Sequence, residues 1–160
     1  MSAVSLFFNG AVLFENGHTL LGRIEPRGGA PVNALVGVVL VANAARLALP
    51  AGADEPALAA AAGFLLFALT YLWVALNAWT GHDSSGLGWY CAWAAGVSIF
   101  LGLVTLFHQH DWKFTMLWLL WAVLFATFFV VIALERTALV FQSNERALLE
   151  VHLQMWAMQR

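Results

Sequence analysis

Five runs of mostly apolar residues, each close to twenty long, dominate this chain and constrain it more than any other feature. They fall at roughly residues 3–22, 31–49, 57–79, 86–107 and 114–134. About 20 such residues cross the hydrocarbon core of a bilayer as a helix. Inside lipid each backbone N–H and C=O needs a partner within its own segment, which a helix supplies. Composition agrees: 62% of the 160 residues are hydrophobic and 10% charged, against about 45–50% and 25% in soluble domains. The predicted fold class is an all-α integral membrane protein. It comprises a bundle of five transmembrane helices over residues 1–136, followed by an amphipathic C-terminal helix over 137–160.

Several classes drop out on the same grounds. A chain this apolar and sparsely charged is not disordered. Seven Lys and Arg against nine Asp and Glu leave no basic surface for phosphates, so nucleic acid is not an expected partner. One cysteine, Cys91, excludes a disulfide framework and a multi-cysteine metal site. No metal or cofactor is expected. A retinal protein needs a buried lysine, yet the single lysine, Lys113, falls in a connector. His18 and His108 lie toward opposite ends of their helices, which argues against a bis-His haem. Cys91 and Ser98 have no evident histidine at matching depth, so the chain does not read as an enzyme.

The connectors, residues 23–30, 50–56, 80–85 and 108–113, are short and carry Pro26, Gly28, Gly29, Pro50 and Pro56. Pro31 is placed at the start of the second helix, where its missing N–H costs nothing. The first segment has no basic leader region, and Asn9, Glu15, Asn16 and His18 interrupt its apolar run, so it is expected to stay in the bundle. The positive-inside bias puts the N-terminus outside: Arg23, Arg27, Arg136, Arg146 and Arg160 then lie inside, with only Arg46 and Lys113 outside. In the tail, Leu148, Val151, Met155 and Met158 recur at helical spacing, which predicts an interfacial helix.

Polar and aromatic residues within the runs are the candidates for function. Ionisable groups at membrane depth usually face the bundle interior or a water-filled cavity. Glu15 and His18 stand three apart and can share one helix face. They read either as a proton-responsive pair or as a structural contact that fastens the first helix to its neighbours. Leu6, Asn9, Leu13 and Asn16 step by three and four along one face. Phe67 and Tyr71 do so on the third run, and Trp118, Trp121 and Phe125 on the fifth. Trp79, Trp89 and Trp112 sit at span ends, as interfacial belts require. The deeper aromatics pack helices together or line a slot that admits flat, neutral solutes and excludes ions, since nothing there replaces an ion's water.

The stretch Gly10-Ala-Val-Leu-Phe-Glu-Asn16-Gly17, followed by Leu21-Gly22-Arg23-Ile24-Glu25-Pro26, resembles the first helix and loop of the AmiS/UreI family, the urea channels and short-chain amide transporters. Pro31-Val-Asn33-Ala-Leu-Val-Gly37 is similar to its second helix, and Gly63-Phe-Leu-Leu-Phe67-Ala-Leu-Thr70-Tyr71-Leu-Trp73-Val-Ala-Leu-Asn77 to its third. Trp118-Leu-Leu-Trp121-Ala-Val-Leu-Phe125 resembles its fifth. The likeness runs over about residues 4–134.

That resemblance implies a six-helix fold with a pore through each protomer, assembled as a homo-oligomer, a hexamer in the channels, in a bacterial inner membrane. Carried over, the pore lining is Leu6, Leu13, Phe67, Tyr71, Trp118, Trp121 and Phe125. Asn9 stands where the urea channels have an aliphatic pore residue, which makes the constriction more polar. Phe125 replaces a tryptophan and removes an indole donor. Residues 137–160 do not resemble the family's sixth helix. Proton gating in the channels implies His108, His110 and Asp111 as external sensors alongside Glu15 and His18; as plain loop residues they would simply be solvated. The expected function is passive, pH-modulated passage of urea or short-chain aliphatic amides, with a membrane scaffold or accessory subunit as the alternative.

Overall fold

The computed structural model describes residues 3–134, and the expectations for the C-terminal tail and for Arg136, Arg146 and Arg160 lie outside them. The described residues form α1 (Ala3–Leu20), α2 (Pro26–Ala48), α3 (Glu55–Thr80), α4 (Ser85–Val104) and α5 (Trp112–Phe129). Helix α4 runs on into a π turn at Thr105–Gln109, and α5 into another at Val130–Leu134. Four stretches are long and apolar enough to cross a membrane: Pro26–Ala48, Glu55–Thr80, Ser85–Gln109 and Trp112–Leu134. Helix α1 is not among them, because Asn9, Glu15, Asn16 and His18 dilute its 18 residues. At about 1.5 Å per residue it is roughly 27 Å long, just short of the usual hydrocarbon thickness.

The second helix corrects the expected boundary. It begins at Pro26, five residues ahead of Pro31, which lies inside it. Glu25 is extended (φ −66°, ψ 135°) and Pro26 opens the helix, so the ring pre-sets the first helical φ. Gly28 and Gly29, expected in a connector, are helical. A Cβ on Gly29 would lie 2.5 Å from Glu15 Oε1, so the absence of a side chain is what lets the α1 carboxylate reach α2. Asp54 caps α3 by accepting from the Ala57 N–H at 2.9 Å, and Gly81, in the left-handed region at φ 72°, ends it.

The chain divides into two compact units, Met1–Ser84 and Ser85–Arg160. In the first, α2 and α3 pair closely and α1 lies along α2. The contacts show α1 antiparallel to α2: Ser5 Oγ accepts from Asn43 Nδ2 at 2.9 Å near one end. Toward the other end, Asn16 and Asn33 exchange two amide hydrogen bonds of 2.9 and 2.8 Å. Asn33 Nδ2 also donates to the Gly29 carbonyl at 3.1 Å. Gly37 lets α3 close in, since a Cβ there would meet Leu72 Cγ at 2.7 Å. Such small-residue contacts and interhelical amides do the work that hydrophobic burial cannot do in lipid.

The reciprocal amide pair gives a direct test. Both asparagines are buried, so Asn33→Leu strands the Asn16 amide. Thermal melting in detergent should show a loss of about 1–3 kcal/mol, while the double change Asn16→Leu/Asn33→Leu should recover part of it.

In the second unit, α4 and α5 pair along their length. They are antiparallel: a Cβ on Gly88 would sit 2.7 Å from Ala133 Cβ, and one on Gly102 would sit 3.2 Å from Trp118 Cβ. Ser98, Thr105 and Thr127 each donate a hydroxyl to the carbonyl four residues back, at 2.8, 2.8 and 2.9 Å. Their polar atoms therefore ask nothing of neighbouring helices.

Candidate functional site

In the first unit, the polar stripe of α1 meets the aromatic stripe of α3 at one point. Tyr71 donates its hydroxyl to Asn9 Oδ1 at 2.6 Å, across a sequence separation of 62 residues. Both residues are buried, as is Phe67, whose ring centroid lies 6.0 Å from that of Tyr71 at an angle of 44°. Beside this pair runs a narrow crevice lined by Ser5, Leu6, Asn9, Leu40, Phe64 and Phe67, too tight to hold a water molecule. Leu6 is 37% exposed at its edge, and Leu13 is half-buried one turn beyond Asn9. Three elements thus combine here: an amide, a phenol and aliphatic or phenyl walls.

The second unit holds the other expected lining residues. Trp118, Trp121 and Phe125 are all buried. Trp118 and Trp121 meet edge to face with centroids 4.9 Å apart, and Phe114 approaches them at 5.8 and 6.4 Å. That packing favours the opposed edge and face charges of aromatic rings. The belt tryptophans contrast with them: Trp79, Trp89 and Trp112 are 52%, 61% and 60% exposed.

The candidate pH sensors are not brought together. Glu15 turns to the first turns of α2, where its Oε2 is buried with no hydrogen-bond partner among the described residues. His18 instead sets its ring edge to face against Phe14, 4.5 Å between centroids. The expected meeting of Glu15 and His18 is therefore not seen, because each side chain has a different neighbour within reach. His108 ends the π turn after α4, and His110 is left-handed at φ 54°. Asp111 caps α5, accepting from the N–H groups of Lys113 and Phe114 at 3.1 and 3.0 Å. All three are exposed. Asp111 thus has a structural task whatever else it does.

Residues 1–156 match the sequence pattern described as AmiS/UreI family transporter. The chain belongs to the AmiS/UreI family. With its apolar helices, that membership makes it an all-helical, multi-pass membrane protein. The family match runs past residue 134, where the resemblance read from the sequence ended, into the tail judged unlike a sixth helix. Among curated relatives, a Mycolicibacterium smegmatis protein named as a transporter of amidate substrates is 42% identical over 139 residues, 87% of this chain and 65% of that protein. A Rhodococcus erythropolis transporter protein named AmiS2 is 34% identical over 136 residues, 85% of this chain and 66% of its own length. The chain thus spans just under two thirds of the curated relatives it matches. No solved structure matches it.

Two contacts of this AmiS/UreI chain escaped the sequence reading. Asn33, met there only as part of a family-like stretch, is the partner of Asn16. Asn43, polar in the middle of an apolar run, is the partner of Ser5. An amide inside a membrane span is itself the signal that could have flagged both.

Proposed function

We propose that this chain forms a passive, pH-modulated conduit for urea or short-chain amides across a bacterial inner membrane. Leu6, Asn9, Leu13, Phe67, Tyr71, Trp118, Trp121 and Phe125 line the solute path, and catalysis plays no part. The observation that carries the reading is the buried Tyr71–Asn9 pair beside aromatic and aliphatic walls. Such a surface offers a neutral planar solute hydrogen bonds and ring faces, while offering an ion nothing in place of its water. The names of the two relatives, one given for amidate substrates, agree with it. The protomers assemble as a homo-oligomer with the N-terminus outside. His108, His110 and Asp111 then face the exterior, and the pH dependence of passage is assigned to them.

Uptake of urea and acetamide into proteoliposomes, followed by light scattering at pH 5 and 7, tests the proposal. Permeation should exceed that of empty liposomes for both solutes and should differ between the two pH values. Trp121→Ala should change the solute preference, whereas Trp79→Ala, at an exposed belt position, should leave it alone. Fluxes equal to those of empty liposomes at both pH values would favour a scaffold or accessory subunit instead.

A further inference from the structure

We propose that Glu15 is a proton-holding site: its carboxyl sits neutral against Gly29 of α2 and is the group that a membrane-soluble carbodiimide modifies. The proposal is independent of the conduit function above. It starts from Glu15 Oε2, the one side-chain polar atom that is buried without a hydrogen-bond partner among the described residues. The carboxyl reaches α2 because Gly29 has no side chain: a Cβ there would lie 2.5 Å from Oε1 and 3.6 Å from Oε2. A buried carboxylate is costly unless it is paired and hydrogen-bonded, far more so than the neutral acid.

The polar groups around it on α1 and α2 are engaged elsewhere. The N–H groups of Gly28 and Gly29 donate to the Glu25 carbonyl at 2.8 and 3.4 Å. Asn16 and Asn33 bond to each other, and the Thr19 hydroxyl donates to the backbone carbonyl of Glu15 at 3.2 Å. His18 rests edge to face on Phe14. The nearby charged groups, Arg23 and Glu25 in the connecting turn and Arg27 in the first turn of α2, are exposed. No ion pair with Glu15 is found among the described residues. A charge on this carboxyl would stand without a counter-charge, and a bound proton removes it. Neutral, the carboxyl keeps its seat and α1 keeps this contact with α2. Ionised, it is drawn toward water and the contact is lost.

Dicyclohexylcarbodiimide dissolves in the bilayer and reads this state. The acid's proton passes to one carbodiimide nitrogen while its oxygen bonds to the central carbon. The acyl group then shifts from that oxygen to the other nitrogen, giving a stable N-acylurea with no atom lost and nothing oxidised or reduced. With the full chain in proteoliposomes at pH 7, peptide mass spectrometry should find this label on Glu15. Glu15→Gln should lose it and Glu25→Gln should keep it. A water-soluble carbodiimide with glycine ethyl ester should instead mark exposed Glu25 and Glu55 and spare Glu15. Gly29→Ala should push the carboxyl from its seat, so that Glu15 exchanges the first label for the second. From pH 5 to pH 8 the wild-type melting temperature should fall relative to that of Glu15→Gln, whose amide cannot ionise. Other titrating groups, His18 included, are common to both chains. Wild-type Glu15 unmarked by dicyclohexylcarbodiimide, or marked by the water-soluble reagent, overturns the proposal. A wild-type melting temperature that holds or rises relative to Glu15→Gln over that range overturns it as well. Identical labelling of Gly29→Ala and wild type overturns the role given to Gly29.

Discussion

Gly88→Leu should leave little folded protein. Any side chain at this position starts with a Cβ 2.7 Å from Ala133 Cβ, 2.9 Å from Ala133 N and 3.1 Å from Ala133 Cα. Two of those three atoms are backbone, so no rotamer change relieves the contact; α4 and α5 must separate. Overpacking a tight interface costs about 1–3 kcal/mol. A leucine here also forces apart two helices whose cohesion in lipid comes from close approach, so the loss should reach or exceed about 3 kcal/mol. The measurement is the yield of monodisperse protein in detergent and its melting temperature. Gly96→Leu is the control, since nothing lies within 4 Å of a Cβ there. Equal behaviour of the two variants would show that the Gly88 contact does not hold α4 to α5.

The second large effect is expected from Trp118→Ala. Trp118 is 2% exposed, meets Trp121 edge to face, touches Phe114 and lies over Gly102. Removing the indole leaves a void that backbone cannot fill, and large-to-small changes at buried aromatics cost about 3–5 kcal/mol. In a membrane the transfer part of that cost shrinks, because lipid solvates the released surface as well as protein does. What remains is lost dispersion among the rings, so the lower end, about 3 kcal/mol, is expected. Near-ultraviolet circular dichroism should lose the signal of the coupled indoles together with the drop in melting temperature. A retained signal would mean that the Trp118–Trp121 pairing is not the ordered contact described above.

All five helices were legible, because an apolar run of sufficient length has few alternatives in lipid. The start of α2 was not, since the chain offers two prolines and either could open a helix; extended Glu25 ahead of Pro26 decided it. The π turns at Thr105–Gln109 and Val130–Leu134 left no mark in the pattern, as one extra residue in a hydrogen-bonded turn barely shifts a period of 3.6. For the candidate site, helical spacing put Asn9, Phe67 and Tyr71 on faces that the structure buries. It could not pair Tyr71 with Asn9 or Asn16 with Asn33, because bonds across 62 and 17 residues depend on which helices become neighbours. Glu15 shows the opposite failure. A nearby histidine made an attractive partner in the sequence, yet a glycine on another helix offered the space.

The antiparallel pairings α2–α3 and α4–α5 bear on how the protein is made. In each, the second helix closes on its predecessor through contacts that lie wholly within the pair. A ribosome feeding this chain into a membrane would therefore release two helix pairs in turn, α2–α3 before α4–α5. The weakly apolar first helix would gain its hold late, once residues such as Asn33 and Asn43 had emerged to meet it.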